Sequence, residues 1–129
     1  MGNVASLDYD GFQLRVVEKD SGELWYVAAD ICRCVELAIN SRTGKPNVTV
    51  ATRELTSSQK EKFRVETPEN PKNPWIDMMI VSELGVIRML SASDSEEARR
   101  LKAFITSDSG NISQKAGVKK SVAYAQLLD

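Results

Sequence analysis

The sequence predicts an α+β fold, in which an N-terminal β-hairpin and a small, mostly antiparallel sheet pack against about three to four helices. One early segment, residues 12–17, alternates apolar and polar residues, which is typical of a half-buried strand, and the next, residues 24–27, is rich in aromatic and β-favouring types. Later segments repeat apolar residues at helical spacing, which indicates helices with one buried face. The two kinds of segment do not alternate regularly along the chain, and this favours an α+β over an α/β class.

The N-terminal half begins with the predicted hairpin, whose strands are residues 12–17 and 24–27 with a glycine-containing turn between them. A helix is predicted at residues 28–37, because the apolar residues from Val27 to Ala38 fall on one face. A polar loop at residues 40–47 follows it. Residues 47–52 then have a strand-like composition.

The middle of the chain is predicted to hold a short helical turn capped by Thr56, within residues 56–63, and then a strand at residues 63–67. Three prolines make residues 68–74 a loop, because proline cannot join a central strand ladder. Residues 75–81 are predicted to form a largely buried strand.

Two helices are predicted after that strand. Ser82 can cap the first, which runs to about Leu90. The second begins at Ser93 or Asp94, since either residue has a glutamate three positions on and can form a capping box. The predicted organisation is a flexible N-terminus at residues 1–11, one domain at residues 12–117, and a weakly amphipathic tail at residues 118–129. Three alternatives are left open for this tail: it forms a helix that docks on its own domain, it pairs with a second copy of the chain, or it frays.

Composition argues for a globular binding protein without catalytic activity. The chain has 129 residues, 42% hydrophobic and 27% charged, and no histidine. Without histidine, Ser-His and Cys-His nucleophile pairs are excluded. The sequence contains no glycine-rich phosphate loop and no HExxH-type motif, and no apolar run reaches the roughly 18 residues of a membrane span. We therefore expect no enzymatic activity, no cofactor, no metal and no membrane association.

Two cysteines, Cys32 and Cys34, lie too close in sequence for ordinary disulfide geometry. They are predicted to be small, partly buried thiols on one helix. Free thiols are typical of the reducing cytoplasm.

The net charge of −1 conceals alternating blocks of charge. Residues 31–62 hold six bases and three acids, and residues 98–129 hold six bases and two acids. A basic face for nucleic acid forms only if the fold brings these two segments together. The candidate nucleic-acid contacts are Arg33, Arg42, Lys45, Arg53, Arg99, Arg100, Lys102, Lys115, Lys119 and Lys120.

A protein partner would instead need an apolar patch with aromatic or arginine anchors. The candidate contacts for a protein are Trp25, Tyr26, Trp75 and Tyr124. Trp75 is the most distinctive of these, because it follows the proline-rich loop and begins a strand.

Three stretches in order resemble the BRO-N domain, the N-terminal module of baculovirus-repeated-ORF proteins and of many phage antirepressors. They are residues 16–32 (VVEKDSGELWYVAADIC), 80–90 (IVSELGVIRML) and 95–107 (SEEARRLKAFITS), with a further echo at residues 112–117. The chain departs from the family pattern at Phe104, where the family has tryptophan, and in a longer, proline-rich stretch at residues 40–74.

The resemblance implies a phage or prophage regulator of transcription in the cytoplasm of a bacterial host. Members of the family are described as DNA-binding, or as antirepressors that bind a repressor protein. Weak net charge and available aromatics favour a protein partner, either a repressor or another host or phage protein. Direct DNA binding and inhibition of a host defence protein are the alternatives, and self-association through the tail is a further possibility.

Overall fold

Five antiparallel strands form one sheet in the computed structural model, which describes residues 3–66 and 70–108. The strands are β1 (Asn3–Tyr9), β2 (Phe12–Glu18), β3 (Leu24–Val27), β4 (Lys60–Glu66) and β5 (Trp75–Ser82). The helices are α1 (Ala28–Val35), α2 (Val48–Ala51), α3 (Glu83–Ser91) and α4 (Glu96–Asp108). The order in the sheet is β1-β2-β3-β5-β4, so β1 and β4 are its edges. The predicted α+β class is confirmed. The tail at residues 118–129 lies outside the described residues.

The N-terminal strand β1 corrects the predicted flexible segment at residues 1–11, which is wrong for residues 3–9. Asp10 and Gly11 both have positive φ, 51° and 86°, as a two-residue hairpin turn with the twist of the sheet requires. The turn pairs Tyr9 with Phe12 and continues to the pair Asn3 and Glu18. Alternation in β1 then buries Leu7 against the core.

One face of the sheet, the helix side, is covered by α1, α3 and α4. Strand residues on this side meet helix residues in one core. Its fully buried members include Leu14, Val16, Tyr26, Val81, Ile31, Val86, Leu101 and Ile105. This core accounts for the two-layer arrangement.

The other face, the opposite side, holds a second apolar cluster around Trp25, with Val17, Val27 and Ile80 buried beside it. The Lys19 ammonium lies 3.8 Å from the centroid of the Trp25 ring. It also lies 2.5 Å from a carboxylate oxygen of Glu61 on β4. A lysine stem and an ion pair thus shield the tryptophan from water at a place where no helix of the described residues lies over it.

A buried aspartate joins β2 to α1. Strand β3 ends at Val27 while β2 extends further, so the amide of Arg15 lacks a strand partner there. Asp30, 1% exposed, accepts that amide at 2.8 Å. The Arg15 guanidinium donates to both Asp30 oxygens at 2.9 Å, and Arg33 donates to one of them at 3.2 Å. These hydrogen bonds raise the pKa of Arg15 above its ordinary value.

The β5–α3 junction confirms the predicted helix cap. The Ser82 hydroxyl accepts the Gly85 amide at 3.1 Å. Gly85 is required for packing, because an added Cβ would lie 2.8 Å from the Gln59 carbonyl oxygen and 3.3 Å from Leu55.

Three other predictions about local structure are wrong in whole or in part. Residues 48–51 form α2 and not a strand, because the Asn47 side chain caps the Val50 amide and the Thr52 hydroxyl binds the Val48 carbonyl. The helical turn predicted within residues 56–63 is confined to residues 56–59, where the Gln59 amide donates to the Thr56 carbonyl at 2.9 Å, because β4 already begins at Lys60. The α4 cap is Ser95, whose hydroxyl accepts the Ala98 amide, so the predicted capping box does not form.

Replacing the buried aspartate by Asp30→Ala should destabilise the fold strongly. The change leaves the Arg15 amide and guanidinium without their acceptors, so we expect a loss of about 3 kcal/mol in the free energy of unfolding. Urea denaturation measures it. The control is Arg33→Ala, which removes the more exposed partner and should cost below about 1 kcal/mol. Equal losses in the two variants would contradict this role for Asp30.

The two cysteines should react slowly in the folded protein. Burial raises the pKa of Cys32 to about 11 and that of Cys34 to about 12, from 9.0 for an unperturbed thiol. At pH 8 the thiolate fraction, and with it the rate of Ellman labelling, should be about a hundredfold lower for Cys32 and about a thousandfold lower for Cys34 than in urea-unfolded chain. Because unfolding releases thiol protons only above pH 9.0, the stability that the neutral thiols contribute is present below that pH and declines above it. Labelling of the single variants Cys32→Ala and Cys34→Ala assigns each rate, and native labelling as fast as unfolded labelling would refute the burial.

Candidate functional site

The hairpin of β4 and β5 extends beyond the rest of the sheet. Strand β3 pairs with β5 only from Ile80 to Ser82. The remaining part of β5, residues 75–79, pairs with β4 residues 62–66 alone. We call these two segments the ribbon. A two-stranded ribbon presents both faces and an outer edge for contact.

An arginine and a tryptophan meet on the helix side of the ribbon. Arg64 lies opposite Asp77 and donates from Nε to its Oδ1 at 3.2 Å. The Arg64 guanidinium also lies 5.0 Å from the centroid of the Trp75 ring. Trp75 is 50% exposed. Since the ion pair is exposed, it stabilises little, but together with the ring it holds Arg64 in one orientation.

Three cations follow one side of β4. Lys60, Lys62 and Arg64 alternate with other residues, so all three lie on the helix side, and we call them the basic stripe. Lys60 donates to the Thr52 carbonyl at 2.9 Å, which places exposed Arg53 beside the start of the stripe. The stripe is a positively charged strip along an edge strand.

The opposite side of the ribbon is apolar. Phe63 and Met78 face each other across the ladder and pack against the Trp25 cluster. Ile76, further along β5, is 46% exposed. The prediction that residues 75–81 form a largely buried strand is therefore wrong for Trp75, Ile76 and Asp77, because no described element covers this end of the ribbon.

The described basic candidates do not form one face. Arg33 is tied to Asp30, whereas the candidates Arg42, Lys45, Arg53, Arg99, Arg100 and Lys102 are exposed. Helix α4 approaches β1, with the Phe104 and Tyr9 rings 5.0 Å apart. Burial raises the pKa of Tyr9, and the nearby charge of Arg100 opposes that rise. Arg100 therefore lies near β1.

Two of these residues lie toward opposite edges of the sheet, Arg53 near β4 and Arg100 near β1, although α1 of the first basic segment packs against α4 of the second. These edges are about 19 Å apart, at about 4.8 Å per strand spacing. On α4 itself, the turn of about 100° per residue directs Arg99 and Lys102 away from Arg100. Lys115, Lys119 and Lys120 lie outside the described residues.

Two of the aromatic candidates for a protein partner are buried. Tyr26 is 0% and Trp25 5% exposed, so their prediction as contact residues is wrong. Both sides of β3 pack against apolar clusters, and neither ring reaches the surface. Trp75 is half-exposed and so is accessible to a partner, and Tyr124 lies outside the described residues.

The basic stripe was missed by the sequence analysis, although a signal for it is present. Lys60, Lys62 and Arg64 recur with the period of a strand, and Phe63 falls between them on the other side. Assigning residues 56–63 to a helical turn concealed that period.

The remaining chemistry of the described residues is limited. No group of three or more histidine, cysteine or acidic residues among residues 3–66 and 70–108 is placed to hold a metal ion. Within the same ranges no helix is long and apolar enough to cross a bilayer.

Comparison with known proteins identifies the family. The family model described as "BRO family, N-terminal domain" matches residues 13–109. No curated protein and no solved structure matches the chain. The family is of a regulatory, DNA-binding type, and the match confirms the predicted resemblance. The chain, matched over most of its length, belongs to the BRO family through its N-terminal domain.

Proposed function

We propose that this chain is a phage-type, antirepressor-like regulatory protein that binds a transcriptional repressor or another host or phage protein through the ribbon. The observation that carries the proposal is the half-exposed Trp75, with Arg64 held against its ring and paired with Asp77. Binding of this kind would take place in the cytoplasm of a bacterial host. An inhibited host defence protein is one such partner.

Tryptophan and arginine are the residue types that most often dominate binding energy at protein interfaces. Covering the exposed half of Trp75, about 100 Å² of apolar surface, would contribute about 2 to 3 kcal/mol. Ile76 adds an exposed apolar group on the other side of the same strand. Arg64 is already oriented, so less side-chain entropy is lost when a partner binds.

The charge distribution favours a protein over a nucleic acid as the main partner. The net charge is −1, and the described basic residues near β1 and near β4 are separated. Affinity for DNA depends on how many phosphates are neutralised at once, and this separation reduces that number.

Trp75→Ala should strongly weaken capture of the partner. The tagged full chain is used as bait in lysate of the native host, and the proteins retained are quantified by mass spectrometry. For the main retained protein, purified, we expect the variant to bind about 30-fold more weakly, the usual effect of losing a central tryptophan.

The matched control is Phe12→Ala, which removes another exposed aromatic side chain, 40% exposed and next to the β1–β2 turn. Its affinity should stay within about twofold of the parent chain. The proposal fails if no protein is retained, or if the two variants weaken binding equally.

A second candidate function, direct DNA binding, is favoured by the basic stripe. A two-stranded ribbon can enter the major groove of DNA, and alternating cations on one side of it can contact phosphates. Lys62 is exposed and forms no ion pair with a described residue, so it is the best placed to do so.

Lys62→Gln tests this second function. Anisotropy of a labelled 20-base-pair duplex is measured as a function of salt concentration. If the stripe binds phosphates, the variant should lower the slope of log affinity against log salt by about one, while Lys102→Gln on α4 should leave it unchanged. Equal slopes for both variants, or no binding near physiological salt, would remove DNA as a ligand of the stripe.

A further inference from the structure

The outer edge of β4 is open with respect to the described residues, 3–66 and 70–108. In the sheet order β4 has β5 on one side and no described strand on the other. Strand β5 is also the only described element that β4 contacts extensively. The backbone groups that point outward over residues 60–66 are therefore available to an added strand, which is a common way for a sheet to bind an extended peptide.

The side chains along this edge differ in chemistry between the two sides of the sheet. The basic stripe lines the helix side, and only Arg64 of its three members is paired with an acid among the described residues. On the opposite side Phe63 is half-buried. A strand added here would place alternate residues beside cations and the residues between them beside an apolar surface.

We propose that the outer edge of β4 binds an extended segment of a partner protein in which acidic side chains alternate with apolar ones. This inference rests on the proposed function, since it takes the partner to be a protein and specifies the part of it that pairs with the sheet. The acids lie beside Lys60, Lys62 and Arg64, and an apolar side chain lies beside Phe63. Main-chain hydrogen bonds provide affinity, and the charge pattern provides register.

A second copy of this chain is disfavoured at the same edge in the registers centred on the first half of β4. Antiparallel pairing of β4 with itself, centred on Phe63, places Lys62 opposite Arg64 of the other copy. Pairing centred on Lys62 places that cation opposite its own copy and Lys60 opposite Arg64. Like charges directly opposite each other destabilise strand pairing, so the stripe disfavours self-association in these registers.

A nucleic acid would use only half of the same surface. Phosphates satisfy the basic stripe, but they leave the outward amides of β4 and the apolar side around Phe63 without a role. The combination of an open edge, cations on one side and apolar side chains on the other therefore favours a peptide.

The test uses a synthetic nine-residue peptide in which glutamate and valine alternate, with blocked ends and a fluorescein label, and the full protein chain. Fluorescence polarisation should show saturable binding. Two N-methylated versions separate strand addition from charge attraction, because alternate amides of a strand point to opposite edges. One version is methylated on the glutamate amides and the other on the valine amides. The version whose methyl groups face β4 should bind at least about tenfold more weakly, and the other version should keep its affinity.

Charge reversal provides the second arm. Lys62→Glu should weaken binding of the glutamate peptide about tenfold, and a peptide with lysine in place of glutamate should bind this variant better than it binds the parent chain. The matched control is Lys102→Glu on α4, which should change neither affinity. Hydrogen exchange should protect alternate amides of β4 when the peptide binds.

Equal binding of the two N-methylated peptides, or no peptide binding at all, would overturn the inference. Lys62-dependent binding of duplex DNA in place of the peptide would also overturn it, in favour of a nucleic acid. These results are distinct from failure of the proposed function. If capture still depends on Trp75 while the peptide does not bind, only this inference falls, and if no protein is captured, the proposed function falls.

Discussion

The fold depends on one buried carboxylate. Strand β2 extends past the end of β3. The chain leaves β3 after Val27 and begins α1 at Ala28, so β3 does not continue beside the rest of β2. Asp30 on α1 supplies the acceptor that the Arg15 amide would otherwise lack, and it binds the Arg15 guanidinium with both oxygens. Because Asp30 is 1% exposed, its charge is tolerable only with these donors in place. The contact fixes α1 against β2, and α4 then packs on α1 to complete the helix side.

Much of this architecture follows from periodicity in the sequence. Alternation predicts β2, and helical spacing predicts α1 and α3, because in each of them a single buried face dominates the pattern, whereas β3 is predicted by its β-favouring residue types. The same argument fails at residues 48–51, where β-branched residues suggest a strand. There the caps from Asn47 and Thr52 and packing on α1 outweigh a weak strand propensity. It also fails for Trp25 and Tyr26, because a strand that is packed on both sides has no exposed face to reveal which residues are inside.

The candidate site was predicted only in part, for a different physical reason. Trp75 was identified because a tryptophan next to a proline-rich loop can be recognised from the sequence alone. The basic residues were grouped by their distance along the chain, whereas the surface depends on which strands become neighbours. Arg64 is part of the candidate site because it contacts Asp77 and Trp75. These two residues lie more than ten positions later in the sequence and contact Arg64 only across the β4–β5 ladder. Cross-strand register cannot be read from segment charges, and the ribbon therefore emerged only from the structure.

The ribbon has a consequence for how such domains diversify. Its residues 62–66 and 75–79 pair only with each other. Unlike Phe63, Met78 and Met79, which pack against the core, exposed side chains such as Lys62, Trp75 and Ile76 have little influence on whether the core assembles. Mutations there are subject mainly to selection by whatever the ribbon touches, while Asp30 and Arg15 stay under selection for folding. Under the proposed function, a change in the partner would therefore select for changes in this hairpin and leave the scaffold as it is.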